Sequence, residues 1–379
     1  MFITKLSSLD SGYITSICEV ATSKGAIDLA ASHAIEELPS YLSGALSQMA
    51  DLELNAPSPL YGLPKLREQI SEKTARLHGH VYNPQHEVTI TTGINQSIFA
   101  AMNAFLDEGD EVILFEPASE DYLPIILLSG AKPVYISLKE PNYYIDWNEV
   151  TRMINGNTRL IIINTPHNPT GMVLNELDML RLQKIINSTR ILILSDERYE
   201  HLVYDGHGHQ SVAMYPKLAE KSILINSLST ACRVSWPVSY CAAPAALMAQ
   251  MRKILTLIDG NCLSIFQTGL ASCIGNREQN KATTEHYRRK MEFFQELMTS
   301  KTRFIPLPVC GTWFQLYSYS AISAESDKEF AIRMLNETGV AAAPYSSFFH
   351  EKQKKQLLRF NFARPDAILE KAVEKLSHL

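Results

Sequence analysis

From about residue 88 onward the chain alternates short, continuous apolar runs with segments whose apolar residues recur at helical spacing. "VTIT" precedes Gly93, after which Ile98, Ala101, Met102 and Phe105 fall on one helical face. "DEGDE" ends that helix before "VILF". Further runs follow in "PVYISL", "RLIIIN", "RILILSD", "SILINS" and "VSYCAAP". Most are continuous rather than alternating, as strands covered on both faces should be. Strand–helix alternation over this length predicts an α/β fold on an open sheet with right-handed crossovers.

The last hundred residues have a different pattern. A long charged helix, "NKATTEHYRRKMEFFQELM", leads to short strands around "GTWFQLYSY" and "LLRFNFA". The closing helix starts at Pro365 and Asp366 and should bury Ile368, Leu369, Ala372, Val373 and Leu376. The division expected is a large α/β domain over 41–280 and a small α+β domain over 281–379, with residues 1–40 packing on the small one.

Composition narrows the function classes. The chain has 379 residues, 46% of them apolar, and a net charge of −5, enough for two domains and a large core. A mildly acidic balance without a basic run argues against nucleic acid or an anionic membrane surface as partner. The apolar stretch around Leu106 to Leu128 is interrupted by charge, so no membrane span is expected. "MFITKLSSLD" lacks the regions of a signal peptide. Cys18, Cys232, Cys241, Cys262, Cys273 and Cys310 show neither metal nor disulfide spacing, so the expectation is free thiols in a reducing cytoplasm. His207 and His209 lie on a Gly-rich loop without a third ligand nearby and read as a polar turn, so no metal is expected.

Ligands of open α/β sheets bind outside the carboxyl ends of the strands, so the residues after each run are the informative ones. Gly93, Ile94 and Asn95 form a turn into a helix whose backbone N–H groups can face an anion. In "NTPHNPTG" two prolines fix a bent loop on which Asn168 can present its amide. Asp196 ends a fully apolar strand, where it is either a functional carboxylate, a helix N-cap or a buried acceptor. Tyr199 follows in "SDERYEHL", and Ser227 ends the next run.

Together "YGLPKLREQI", "TTGINQSIFAAMNAFLDEGDEVILFEP", "NTPHNPTG", "SDERYEHL" and "LLRFNFAR" resemble the class I and II aminotransferases of the pyridoxal-phosphate (PLP) fold-type I group, nearest to their methionine and kynurenine branch. The resemblance implies a mainly parallel, seven-stranded-type sheet in the large domain, a homodimer and PLP as cofactor. It implies that Asp196 faces a pyridine nitrogen and that Asn168 and Tyr199 face the ring hydroxyl. Ser227 and the turn of Gly93, Ile94 and Asn95 would contact phosphate, while Arg359 would hold a substrate carboxylate.

One residue the resemblance requires is not there. Such enzymes read Ser-x-x-Lys after the strand; here Ser227 is followed by Leu228, Ser229 and Thr230. Counting from Asp196 puts Thr230 at the lysine position, and counting back from Trp236 puts Ser229 there. Neither hydroxyl can form the imine or carry the proton between carbons as an amine does. Other departures accompany it: Pro237 where a basic residue clamps phosphate, Ser119 where an aromatic stacks on the ring, Pro57 where a tyrosine reaches a neighbour's phosphate, and Ser32 and His33 in the loop near the substrate. Each lost phosphate contact weakens PLP by roughly 1–3 kcal/mol, and the lost stacking by roughly 0.5–1.5 kcal/mol.

Three readings follow. The first is a repurposed enzyme that needs no cofactor. It would act on a small carboxylate-bearing molecule on Arg359, with Asp196, Tyr199 or His33 for acid–base work, Thr230 at the lysine position, and Ser32 and Ser119 lining the pocket. Cys232 is a further candidate there, or simply a packed small residue. The second is a non-catalytic binding or regulatory protein. The third is lysine-free chemistry on bound PLP or pyridoxamine phosphate.

Overall fold

The computed structural model describes residues 12–39, 42, 58–204, 206, 208–258, 262–271, 274 and 277–379. Pro57, His207 and Cys273 lie outside these residues.

After a short β1 (Ile27–Asp28), seven strands build the main sheet: β2 (Val88–Thr91), β3 (Glu111–Glu116), β4 (Lys132–Ser137), β5 (Thr158–Asn164), β6 (Leu192–Asp196), β7 (Ser222–Ser227) and β8 (Ser239–Ala242). Their order is β2-β8-β7-β6-β5-β3-β4. Neighbours run parallel except β8, which is antiparallel to both β2 and β7. The continuous apolar runs have a direct cause. Ile113, Ile161, Ile163 and Ile193 enter the core on one face, while Val112, Leu114, Leu160, Ile162 and Leu194 enter the core on the other. Fully burying each such side chain contributes roughly 1.5–3 kcal/mol. The helix Ile94–Phe105 covers the second face with Ile98, Ala101 and Met102, and Phe105 is half-buried beside them.

The chain ends form another core. β9 (Ile305–Pro306), β10 (Phe314–Ser318), β12 (Ala343–Pro344) and β13 (Leu357–Asn361) form an antiparallel sheet in the order β12-β13-β10-β9. β1 pairs in parallel with β11 (Val340–Ala341). Ile14, Ile17 and Ala21 of the first helix share this core with Phe294 of the helix Arg277–Lys301 and with Leu369, Ala372, Val373 and Leu376 of the last. Ile368 departs from expectation: it is 36% exposed, one position off the buried stripe. Among the described residues no helix is long and apolar enough to cross a membrane.

The segment after β7, where the resemblance places the lysine, is helical. It forms a short helix, Leu228–Cys232, capped by the Ser227 hydroxyl accepting from the Thr230 N–H at 3.3 Å. Arg233 closes it in the left-handed region, at φ 56°, where a side chain costs roughly 1–2 kcal/mol.

Candidate ligand-binding cleft

The strands deliver their last residues side by side. Asn164 ends β5 in register with Asp196 at the end of β6, and Ser227 ends β7. The Asn164 side-chain oxygen accepts from the Asn168 N–H at 2.8 Å, which fixes the bent loop over the strand ends. Gly93 begins the helix Ile94–Phe105 at φ 81°. A Cβ built on Gly93 would lie 3.9 Å from Pro237 Cβ, so the proline lies against this turn and adds no charge to it. Ile94 is buried and anchors the helix start.

Arg359, in β13, one of the two inner strands of the small sheet, reaches the same loop. It is 0% exposed. Its Nη1 donates to Asn168 Oδ1 at 2.8 Å and its Nη2 donates to the Ala30 carbonyl. The guanidinium lies 4.1 Å from the centre of the Phe314 ring and 5.0 Å from that of Phe348. Nε is buried and has no hydrogen-bond partner among the described residues. Among the described residues no carboxylate pairs with it, and burial pulls its pKa down to about 10. Glu120 and Asp28 act on it only through space, so an incoming anion in direct contact would stabilise this buried cation further.

Asp196 has the opposite problem solved internally. It is 0% exposed, and Tyr122 Oη donates to its Oδ2 at 2.7 Å. Arg198, two residues on, donates Nε to both oxygens at 3.0 Å and Nη2 to Oδ2 at 2.6 Å. Its backbone N–H reaches Oδ1 at 3.3 Å. A carboxylate offers about four acceptor sites, so little capacity remains here. Arg198 Nη1 also donates to Asp121 Oδ2 at 3.2 Å. Asp121 receives the Ser119 hydroxyl at 3.0 Å and the Asn95 amide at 3.3 Å. Arg198 and Asp121 were not singled out from the sequence; the available signal was a charged residue within the turn that follows β6.

The remaining predicted residues are dispersed. Tyr199 is buried edge-on against Trp313 at 5.1 Å, and burial holds its hydroxyl well above the usual tyrosine range. Ser229 donates its hydroxyl to the Trp236 carbonyl, tying the short helix to the following loop, while Thr230 is buried at 5% exposure. Cys232 packs in the core below the sheet. Ser32 and His33 are exposed; their carbonyls accept from Trp313 Nε1 and from Arg364 Nη1 respectively.

A second buried polar cluster includes Glu197 and Glu200. Lys73 donates to Glu200 and, at 3.1 Å, to the Tyr240 hydroxyl. His201 and His78 approach Glu200 at 3.1 and 3.3 Å, and His209 approaches Glu197 at 2.8 Å. Ligand atoms of His78, Glu197 and Glu200 lie within 4.8 Å of one another. Lys73 offsets the Glu200 carboxylate, and the histidines supply hydrogen-bonding partners to both carboxylates.

A cavity of about 560 Å3 opens beside the strand ends, walled by Asn95, Phe99, Ser119, Glu120, Asp121 and Phe348 among others. Burial and the neighbouring Asp121 push the Glu120 carboxyl upward.

Comparison with known proteins places this geometry. The family model described as aminotransferase class I and II matches residues 25–376. Methionine aminotransferase from Escherichia coli is 33% identical over 378 residues, covering 99% of this chain and 98% of the relative. Aspartate aminotransferase from Pyrococcus abyssi is 28% identical, covering 98% and 96%. Among solved structures, an Escherichia coli protein identified as a methionine aminotransferase superposes with a TM-score of 0.94 at 33% identity, covering 100% of both chains. N-succinyldiaminopimelate aminotransferase from Mycobacterium tuberculosis superposes at 0.94 with 27% identity, again covering 100% of both.

Proposed function

The chain belongs to the class I and II aminotransferase family, and from that premise we propose that it binds a small carboxylate-bearing molecule of the amino- or keto-acid type on Arg359, forms no internal Schiff base, and does not carry out ordinary transamination. The observation that carries the reading is Arg359 itself. It is a fully buried guanidinium between two aromatic rings, with a free Nε and no carboxylate partner among the described residues. Asn168 fixes the guanidinium's orientation.

The residues at the ring end do not fit PLP as the family holds it. A pyridine N–H needs an acceptor site on Asp196, and those sites receive Arg198 and Tyr122. Residues 227–238 contain no lysine. Lysines buried elsewhere are committed: Lys73 to Glu200, and Lys290 to the Arg364 carbonyl at 2.7 Å and Asp366 at 2.6 Å. Lys221 donates to the Ile186, Asn187 and Thr189 carbonyls.

Glu120 favours a second reading, catalysis without a cofactor. Its carboxyl lies on the cavity wall, within electrostatic reach of Arg359, and burial together with Asp121 favours its protonated form more than in a free carboxyl, which suits an acid–base group. Asp196, bound by Arg198, and Tyr199, held protonated, are less suited to that task.

The test is a thermal-shift series with 2-amino acids, 2-oxo acids and the matching amines without a carboxylate. Carboxylates alone should raise Tm in a concentration-dependent way. Equal shifts from the amines would refute the role given to Arg359.

A further inference from the structure

The contacts of Arg198 connect departures that look unrelated along the sequence. Asp196 is the residue the resemblance assigns to a pyridine nitrogen, Ser119 stands where an aromatic would stack on the ring, and Asn95 belongs to the phosphate turn. All three belong to one hydrogen-bonded unit. Arg198 bridges Asp196 and Asp121, the Ser119 hydroxyl and the Asn95 amide both donate to Asp121, and Tyr122 completes the shell of Asp196.

We propose that Arg198 is the residue that excludes a pyridine cofactor from this cleft, its guanidinium standing in on Asp196 for the ring nitrogen. A protonated pyridine offers one N–H and one positive charge. The guanidinium offers Asp196 the same charge with two side-chain nitrogens, Nε touching both oxygens and Nη2 one. It is attached to the chain and loses no translational freedom on pairing, so a free pyridine competes at a disadvantage. Its side chain is only 14% exposed, and Asp121 holds it from the other side. For a ring to reach Asp196, Arg198 would have to leave both carboxylates and carry its charge into a largely buried cleft. The Ser119 hydroxyl also gains a purpose: a small donor at that position fits the carboxylate that anchors Arg198, where a stacking aromatic would not.

The inference deepens the cofactor-free reading and rests on it, but its test does not use Schiff-base chemistry. Pyridoxamine 5′-phosphate carries the same ring and phosphate with an amine in place of the aldehyde, so it binds without forming an imine. Calorimetry on the full chain should give Arg198→Val an affinity for pyridoxamine 5′-phosphate roughly 10- to 100-fold above that of the unaltered chain, the value of a restored charge-assisted hydrogen bond. Adding Asp196→Asn to Arg198→Val should abolish the gain. A folded Arg198→Val chain that binds no tighter, or a gain that survives Asp196→Asn, overturns the proposal. If circular dichroism shows the valine variant unfolded, Arg198→Met answers the same question, because it keeps a long side chain for packing and removes every side-chain donor to Asp196 that Arg198 supplies. It too should bind more tightly, and an unchanged affinity overturns the proposal. Failure of the proposed function would appear elsewhere, as a covalent PLP adduct on the unaltered chain.

Discussion

Arg359 and Asn168 meet at 2.8 Å, joining the inner strand β13 of the small sheet to the bent loop that crosses the end of the large one. The pairing sets the guanidinium's angle toward the cleft and uses one of its nitrogens, leaving Nε for a ligand.

Replacing that cation should remove ligand binding without removing the fold. Arg359→Met keeps an unbranched side chain beside Phe314 and Phe348 and deletes a buried charge that, among the described residues, no carboxylate contacts directly. Carboxylate affinity should fall by at least about tenfold for each charge-assisted hydrogen bond lost. Stability should change by less than about 2 kcal/mol, since exchanging a buried charge for an apolar group is often neutral. Calorimetry with the 2-oxo acid giving the largest thermal shift, alongside urea unfolding, checks both halves.

Lys73 and Glu200 should behave in the opposite way. Lys73→Met leaves Glu200 buried without its ammonium partner and should cost about 3–5 kcal/mol. Lys73→Met combined with Glu200→Gln should recover part of that loss, because the uncompensated charge goes with it. Urea midpoints of the single and double variants measure the coupling directly.

His167 gives the protein an acid-sensitive element. Burial pushes its pKa down to about 3 from an ordinary 6.5, while its Nδ1 lies 2.8 Å from the Thr170 hydroxyl. Between those two values the unfolded chain binds a proton that the folded chain refuses. The neutral imidazole therefore contributes fully above pH 6.5, and that contribution is lost as pH falls toward 3. The loss approaches about 1.4 kcal/mol per pH unit. His167→Gln should flatten the dependence of the urea midpoint on pH between 6.5 and 5 by the equivalent of one proton.

Much of this architecture was legible in the sequence, and what was not has physical causes. The runs "RLIIIN" and "RILILSD" announced β5 and β6 because both faces of each strand are covered by apolar residues. The same property hides strand direction, so nothing in "VSYCAAP" marked β8 as antiparallel to both its neighbours. "PVYISL" looked equally buried, yet β4 lies at the sheet edge and is only partly covered. Asn168, Asp196 and Ser227 could be placed because each ends or follows such a run. Arg198 could not, because its role depends on a side chain folding back two residues while also reaching Asp121, 77 positions away. Ser119 marks the place of a missing aromatic, but nothing along the chain marks the neighbouring Asp121 carboxylate as the anchor of Arg198.

The most direct measurement of the central claim is an absorbance spectrum of the purified protein with added PLP, before and after dialysis, followed by borohydride reduction and intact mass. The account predicts that no visible band survives dialysis and that reduction adds no mass. A band that survives, together with a covalent PLP adduct, would mean that some lysine forms the imine and would contradict it.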